Sequence, residues 1–193
     1  AIIAAALLVT AALAEDPPEP QIIVRETVDQ VLEVLARKEL STDERIRRIE
    51  EIAYGRFDFA TISRLVLARR WKQFDPEQRE EFVEQFKIQL SRSYGTRITR
   101  YEQEQVAILG SRVEPRGDVT VATRIEGGTA DGILVDYRLR KRDGPWLLID
   151  VIIEGVSLVS SYRSQFAEIL SRGGPEELLK QLREKNAASS EAS

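Results

Sequence analysis

The sequence predicts an α+β fold, in which a four-stranded antiparallel meander packs against several helices. Three observations predict it. Helical periodicity dominates from Gln21 to Tyr101, strand composition takes over at Gln105 and lasts to Ile153, and helical spacing returns from Ser160 to Asn186. At 193 residues the chain has room for one domain with its own core and needs no staples.

Ala1 to Ala14 carry only apolar or small side chains and end in Ala12-Leu13-Ala14, just before Glu15-Asp16 and Pro17-Pro18. This reads as the hydrophobic region and A-x-A cleavage site of a secretory signal peptide, cut short at its start. The run is shorter than the roughly 20 residues that a membrane-spanning helix needs. Export to a bacterial periplasm is therefore expected. Residues 15–21 read as an extended proline-containing linker, residues 22–186 as the single domain, and residues 187–193 as a frayed, disordered tail.

Within the domain, Val24, Val28, Val31, Leu32 and Leu35 give Gln21 to Leu40 one sticky helical face. Ser41-Thr42-Asp43 offers the N-cap of a second helix, whose inner stripe is Ile46, Ile49 and Ile52 or Ala53 and which ends near Gly55. Phe57-Asp58-Phe59 is a bend, with Asp58 capping a short helix through Leu67. Asp75-Pro76-Glu77 starts a long helix, the proline falling at its first position. Phe82, Phe86, Leu90, Tyr94, Ile98 and Tyr101 then recur at helical spacing and give this helix an aromatic face.

Val106 to Val113 and Val119 to Ile125 have strand composition, interrupted by Pro115-Arg116-Gly117-Asp118 and ending in a turn at Gly127-Gly128. In the third strand Ile133, Val135, Tyr137 and Leu139 occupy one face and Asp136, Arg138 and Arg140 the other. From Trp146 to Ile153 both parities are apolar except at Asp150, so both faces of that strand should be covered. Gly155 hinges the strand onto an amphipathic helix, and Ser157 is placed to cap the turn between them. Two helices close the chain, Ser160 to Ser171 and Pro175 to Asn186, parted by Gly173-Gly174.

The chain has neither His nor Cys, so Ser-His-Asp and Cys-His arrangements and the usual zinc sites cannot be built. A net charge of −4 with interspersed signs argues against nucleic-acid binding. Basic clusters such as Arg69-Arg70-Lys72 and Arg138-Arg140-Lys141-Arg142 read as solvated faces. Periodicity does not say whether the aromatic face closes on a filled core or on a hollow.

Several words of the sequence resemble the MlaC family of periplasmic phospholipid carriers, also called the toluene-tolerance family. They are Tyr54-Gly55-Arg56-Phe57-Asp58-Phe59, Arg64-Leu65-Val66-Leu67-Ala68 with Trp71, and Phe82 to Tyr94. The most distinctive are Trp146, the run Asp150 to Val159, and Tyr162-Arg163 with Gln165-Phe166. Ala68 departs from the family pattern, which usually has Gly there, as does Ser161, where Asn is common.

The resemblance implies a monomeric carrier with no cofactor, a cup-like fold whose internal apolar cavity holds the acyl chains of a glycerophospholipid. Its implied partners are an outer-membrane lipoprotein–porin complex and an inner-membrane ABC lipid-transfer complex. On that reading the chains lie between Phe82, Phe86, Leu90, Tyr94 and Ile98 on one side and Val121, Val135, Tyr137, Leu139, Ile149 and Val151 on the other. Val156, Leu158 and Tyr162 stand at the mouth or end wall. Asp150 and Arg163 read as the joint between the last strand and the helix. Two other functions are compatible with the sequence: a cavity enzyme with Asp136 or Asp150 as general base, and an interaction module with a solid core.

Overall fold

In a computed structural model the chain is described over residues 18–98 and 103–191. The expected signal peptide, residues 15–17 of the linker and Tyr101 lie outside the described residues, as does the side chain of Ile98.

Among the described residues four helices come first. Helix α1 (Glu19–Ala36) starts behind Pro18, and α2 (Thr42–Arg56) is capped by Ser41, whose hydroxyl accepts from the Glu44 N–H at 3.2 Å. Asp58 caps α3 (Phe59–Leu67) by accepting from the Thr61 N–H at 2.8 Å. At the start of α4 (Pro76–Ile98), the Asp75 carboxylate accepts from the Gln78 N–H at 2.8 Å while the Gln78 amide oxygen accepts from the Asp75 N–H at 3.2 Å. Each such cap contributes about 1 kcal/mol by satisfying amides that the first helical turn leaves unpaired.

Between α3 and α4 runs a 3₁₀ turn, Ala68–Gln73, entered through Ala68 at φ 50° and ψ −129°. A glycine reaches that conformation without cost and an alanine does not. This is the position at which the chain departs from the glycine of the MlaC pattern.

The sheet has five strands in the order β1 (Gln105–Val113), β2 (Val119–Glu126), β3 (Leu134–Lys141), β4 (Trp146–Ile153) and β5 (Val156–Ser157), each antiparallel to its neighbour. Four were expected. The fifth arises because Glu154 and Gly155 both take positive φ, 49° and 77°, which is the requirement of a tight two-residue hairpin turn. The chain therefore folds back for two paired residues, where a simple hinge was expected.

Helix α5 (Leu158–Glu191) is two arms joined at Gly174, whose φ of 69° and ψ of −167° are non-helical, with Pro175 opening the second arm. The break falls where the glycine pair predicts it. The second arm runs on to Glu191, into the stretch assigned to a tail. Among the described residues no helix is long and apolar enough to cross a membrane.

Two buried clusters hold these layers together. One joins α3, α4 and α5 through ring contacts, with Phe82 and Phe86 stacked at 5.5 Å between centroids and Phe86 edge-on to Tyr162 at 4.9 Å. The other lies between α1 and the sheet, where Ile23 and Val24 meet Val119, Val121, Leu139 and Leu148.

Candidate functional site

The two clusters do not meet everywhere. Between them lies a cavity of about 640 Å³. Its helical walls are the inner stripes of α1 and α2, including Val31, Leu32, Ile46 and Ile49, and the faces of α3 and α4 that carry Ile62, Phe86 and Leu90. Leu158 and Tyr162 at the start of α5 close another side.

The register of the sheet explains which strand residues face this space. Val119 pairs with Leu139, Val121 with Tyr137 and Thr123 with Val135, so these residues share one face of the sheet. Tyr137 in turn pairs with Val151 and Val135 with Ile153. At the end of that face bearing Val119, Val121 and Leu139, α1 fills the space with Ile23 and Val24 and leaves a solid core. Toward the β2–β3 turn none of the described residues fills it, and Val135, Tyr137, Val151 and Ile153 line the cavity, joined by Val106 and Ile125.

A bulge adds one further rule. Arg138 pairs with Asp150 but Leu139 pairs with Leu148, which leaves Ile149 as the extra residue of β4. Leu148 and Val151 both reach the cavity across this irregularity, whereas Ile149 packs into the helical cluster.

Eight of the residues nominated from sequence line the cavity: Phe86, Leu90, Tyr94, Val135, Tyr137, Val151, Leu158 and Tyr162. Others do not. Phe82 is fully buried against Phe74 and Phe166, Val121 and Leu139 lie in the filled half of the sheet face, and Val156 on β5 is 59% exposed. The walls from α1 and α2 were missed, although their apolar stripes were legible, because a stripe does not say what it faces.

Few polar groups line the cavity. Glu50 accepts a hydrogen bond from the Ser91 hydroxyl, and the Lys87 ammonium lies 3.7 Å from Glu84 and 4.0 Å over the Tyr54 ring. Burial, then the nearby Glu50 and Glu84 carboxylates, raise the Tyr54 phenol. Burial pushes the Tyr137 phenol up to about 12, even though part of that side chain faces the cavity, so it stays neutral at any ordinary pH.

Asp150 also borders the cavity but is fully engaged. One carboxylate oxygen accepts from the Ser157 hydroxyl at 2.6 Å and the other from the Val159 N–H at 3.1 Å, which ties β4 to the first turn of α5. Arg163 donates through two nitrogens to the Leu65 carbonyl, at 3.0 and 2.7 Å, and so fastens α5 to α3. Asp136, the other carboxylate weighed as a base, sits on the opposite sheet face within 3.5 Å of Arg112. What these side chains form is a pair of fasteners around an apolar space.

The model of the MlaC protein family matches residues 25–184. The chain belongs to the MlaC family. Among curated MlaC relatives it is 25% identical over 114 residues to the toluene tolerance protein ttg2D of Pseudomonas putida, a match covering 58% of this chain and 53% of the relative. It is 26% identical over 124 residues to the MlaC of Haemophilus influenzae, the binding protein of an intermembrane phospholipid transport system, covering 62% of this chain and 58% of that one. The chain thus spans between half and three-fifths of the length of these relatives. A solved phospholipid-binding protein from Ralstonia solanacearum, in complex with a phospholipid, superposes with a TM-score of 0.80 at 28% identity, covering 88% of this chain and 98% of that one.

Proposed function

We propose that this protein binds a glycerophospholipid with its acyl chains in the 640 Å³ cavity and carries it through the periplasm. The lipid passes between an outer-membrane lipoprotein–porin complex and an inner-membrane ABC complex, maintaining the asymmetry of the outer membrane. The observation that carries this reading is the position of the cavity. It lies against one half of a sheet face and is lined mainly by apolar side chains of α1 to α4 and the start of α5, in a fold shared with a phospholipid-bound protein. A space so lined is costly when filled with water and favourable when filled with hydrocarbon.

The energetics call for an enclosed site and a direct hand-over. At roughly 0.8 kcal/mol per methylene, an acyl chain of about 16 carbons gains on the order of 12 kcal/mol by leaving water. Escape into the periplasm is then negligible, and lipid leaves only by direct transfer to a docked partner. Asp150 serves as a fastener between β4 and α5, with both oxygens occupied, and no chemistry is assigned to it.

Native mass spectrometry of protein purified without detergent tests the proposal. A mass increment equal to a phospholipid is expected, and it should fall by more than half in Val135→Trp, which fills the cavity from β3. A bare mass for the wild-type protein, isolated from cells with intact membranes, would sink the carrier reading.

A further inference from the structure

The elbow between α3 and α4 concentrates positive charge. Arg64, Arg69, Arg70, Lys72 and Arg79 fall within residues 64–79, against Asp75 and Glu77 in that span with Glu80 and Glu81 just beyond it, and the Asp75 carboxylate is engaged in capping α4. Among the described residues none of these five cations joins an ion pair, whereas several arginines elsewhere do, such as Arg140 with Asp118 at 2.6 Å and Arg183 with Glu176 at 3.0 Å. Arg163 adds a sixth cation from α5, anchored on the Leu65 carbonyl next to Arg64.

The patch is also ordered. The Arg64 and Arg79 guanidinium groups lie 5.7 and 5.5 Å from the centre of the Trp71 ring, and the Arg79 Nε donates to the Trp71 carbonyl at 3.2 Å. Stacking on an aromatic fixes a guanidinium while leaving its edge free for bidentate bonds to a carboxylate. One or two cations near the end of α3 would serve to complement its dipole. Six, drawn from α3, the 3₁₀ turn, α4 and α5, exceed that need.

We propose that this elbow is a docking surface for an acidic protein partner, whose Asp and Glu side chains pair with the ordered guanidinium groups around Trp71. A lipid surface fits it less well. Stable attachment to a membrane takes an apolar insertion in addition to charge. The large exposed apolar side chains, Ile22, Tyr54, Leu109, Val113, Leu134 and Val156, all lie elsewhere, and the Trp71 ring is already engaged. A net charge of −4 further disfavours approach to an anionic bilayer except through this patch.

The test uses the full chain and a fluorescent ten-residue poly-glutamate peptide, followed by anisotropy at low salt and at about 0.2 M salt, where surface charge is screened. The doubly substituted R69E/K72E, both sites exposed, should lose about tenfold in affinity for the peptide and most of its salt dependence. R142E/K180E makes the same change of net charge at exposed positions elsewhere and should bind nearly as well as wild type. R69Q/K72Q should show a smaller loss in the same direction, and it carries the test if the charge reversal fails to fold. Equal weakening in R142E/K180E would overturn the proposal, since net charge alone would then explain binding. So would wild-type protein that ignores the peptide but sediments with phosphatidylglycerol vesicles.

Discussion

Ala68 shows how one residue can carry strain that composition hides. Its φ of 50° and ψ of −129° lie where a β-carbon crowds the backbone, at a cost of order 1–3 kcal/mol. The fold bears that cost because α3 must stop there and the chain must turn to bury Phe74 under α4. Gly at this position relieves the strain but gives the unfolded chain more freedom, which returns part of the gain. The expected net effect of Ala68→Gly is a stabilisation of about 1 kcal/mol, or a midpoint roughly 2–4 °C higher by thermal denaturation. A lower midpoint would show that the turn is unstrained. From sequence the departure from the family's glycine was visible, but its meaning as a backbone requirement was not, because φ is set by the surrounding chain.

At the scale of elements, helices were legible wherever a cap and an apolar stripe agreed, as at Ser41, Asp58 and Asp75. The sheet was legible in its alternation but not in its irregularities. Ile149 was placed on the wrong side of β4 because the bulge depends on pairing with β3, a partner that no local pattern names. The fifth strand was missed for a related reason: Glu154 is a non-glycine residue in a turn position that ordinarily calls for Gly, Asn or Asp. The joint between β4 and α5 does conform to what its residues suggested. Asp150 is 5% exposed and accepts from both Ser157 and the Val159 backbone. Asp150→Ala removes both bonds and leaves a buried N–H unpaired, an expected loss of about 3 kcal/mol in urea denaturation. Asp150→Asn keeps one acceptor and should lose roughly half as much. A catalytic carboxylate would behave differently, with Asn preserving stability fully while abolishing turnover.

At the scale of the whole molecule, the question that sequence leaves is whether the aromatic face closes on a filled core or a hollow. Periodicity is blind to this because the same stripe results either way. The difference lies in tertiary reach: α1 covers one half of the sheet face with Ile23 and Val24 and leaves the other half uncovered. The two cases respond to enlargement with opposite sign. In a filled core, Leu90→Trp overpacks and destabilises by about 1–3 kcal/mol. In the cavity, the indole replaces empty space, so the delipidated variant should be more stable than delipidated wild type by about 1 kcal/mol. Loaded wild type, in turn, should exceed both, because a ligand that binds only the folded state stabilises it by mass action. The predicted order of thermal midpoints is therefore loaded wild type, then the empty Leu90→Trp variant, then empty wild type, with the variant taking up little lipid from vesicles. An empty variant that melts below empty wild type would place Leu90 in a solid core and remove the chamber on which lipid carriage depends.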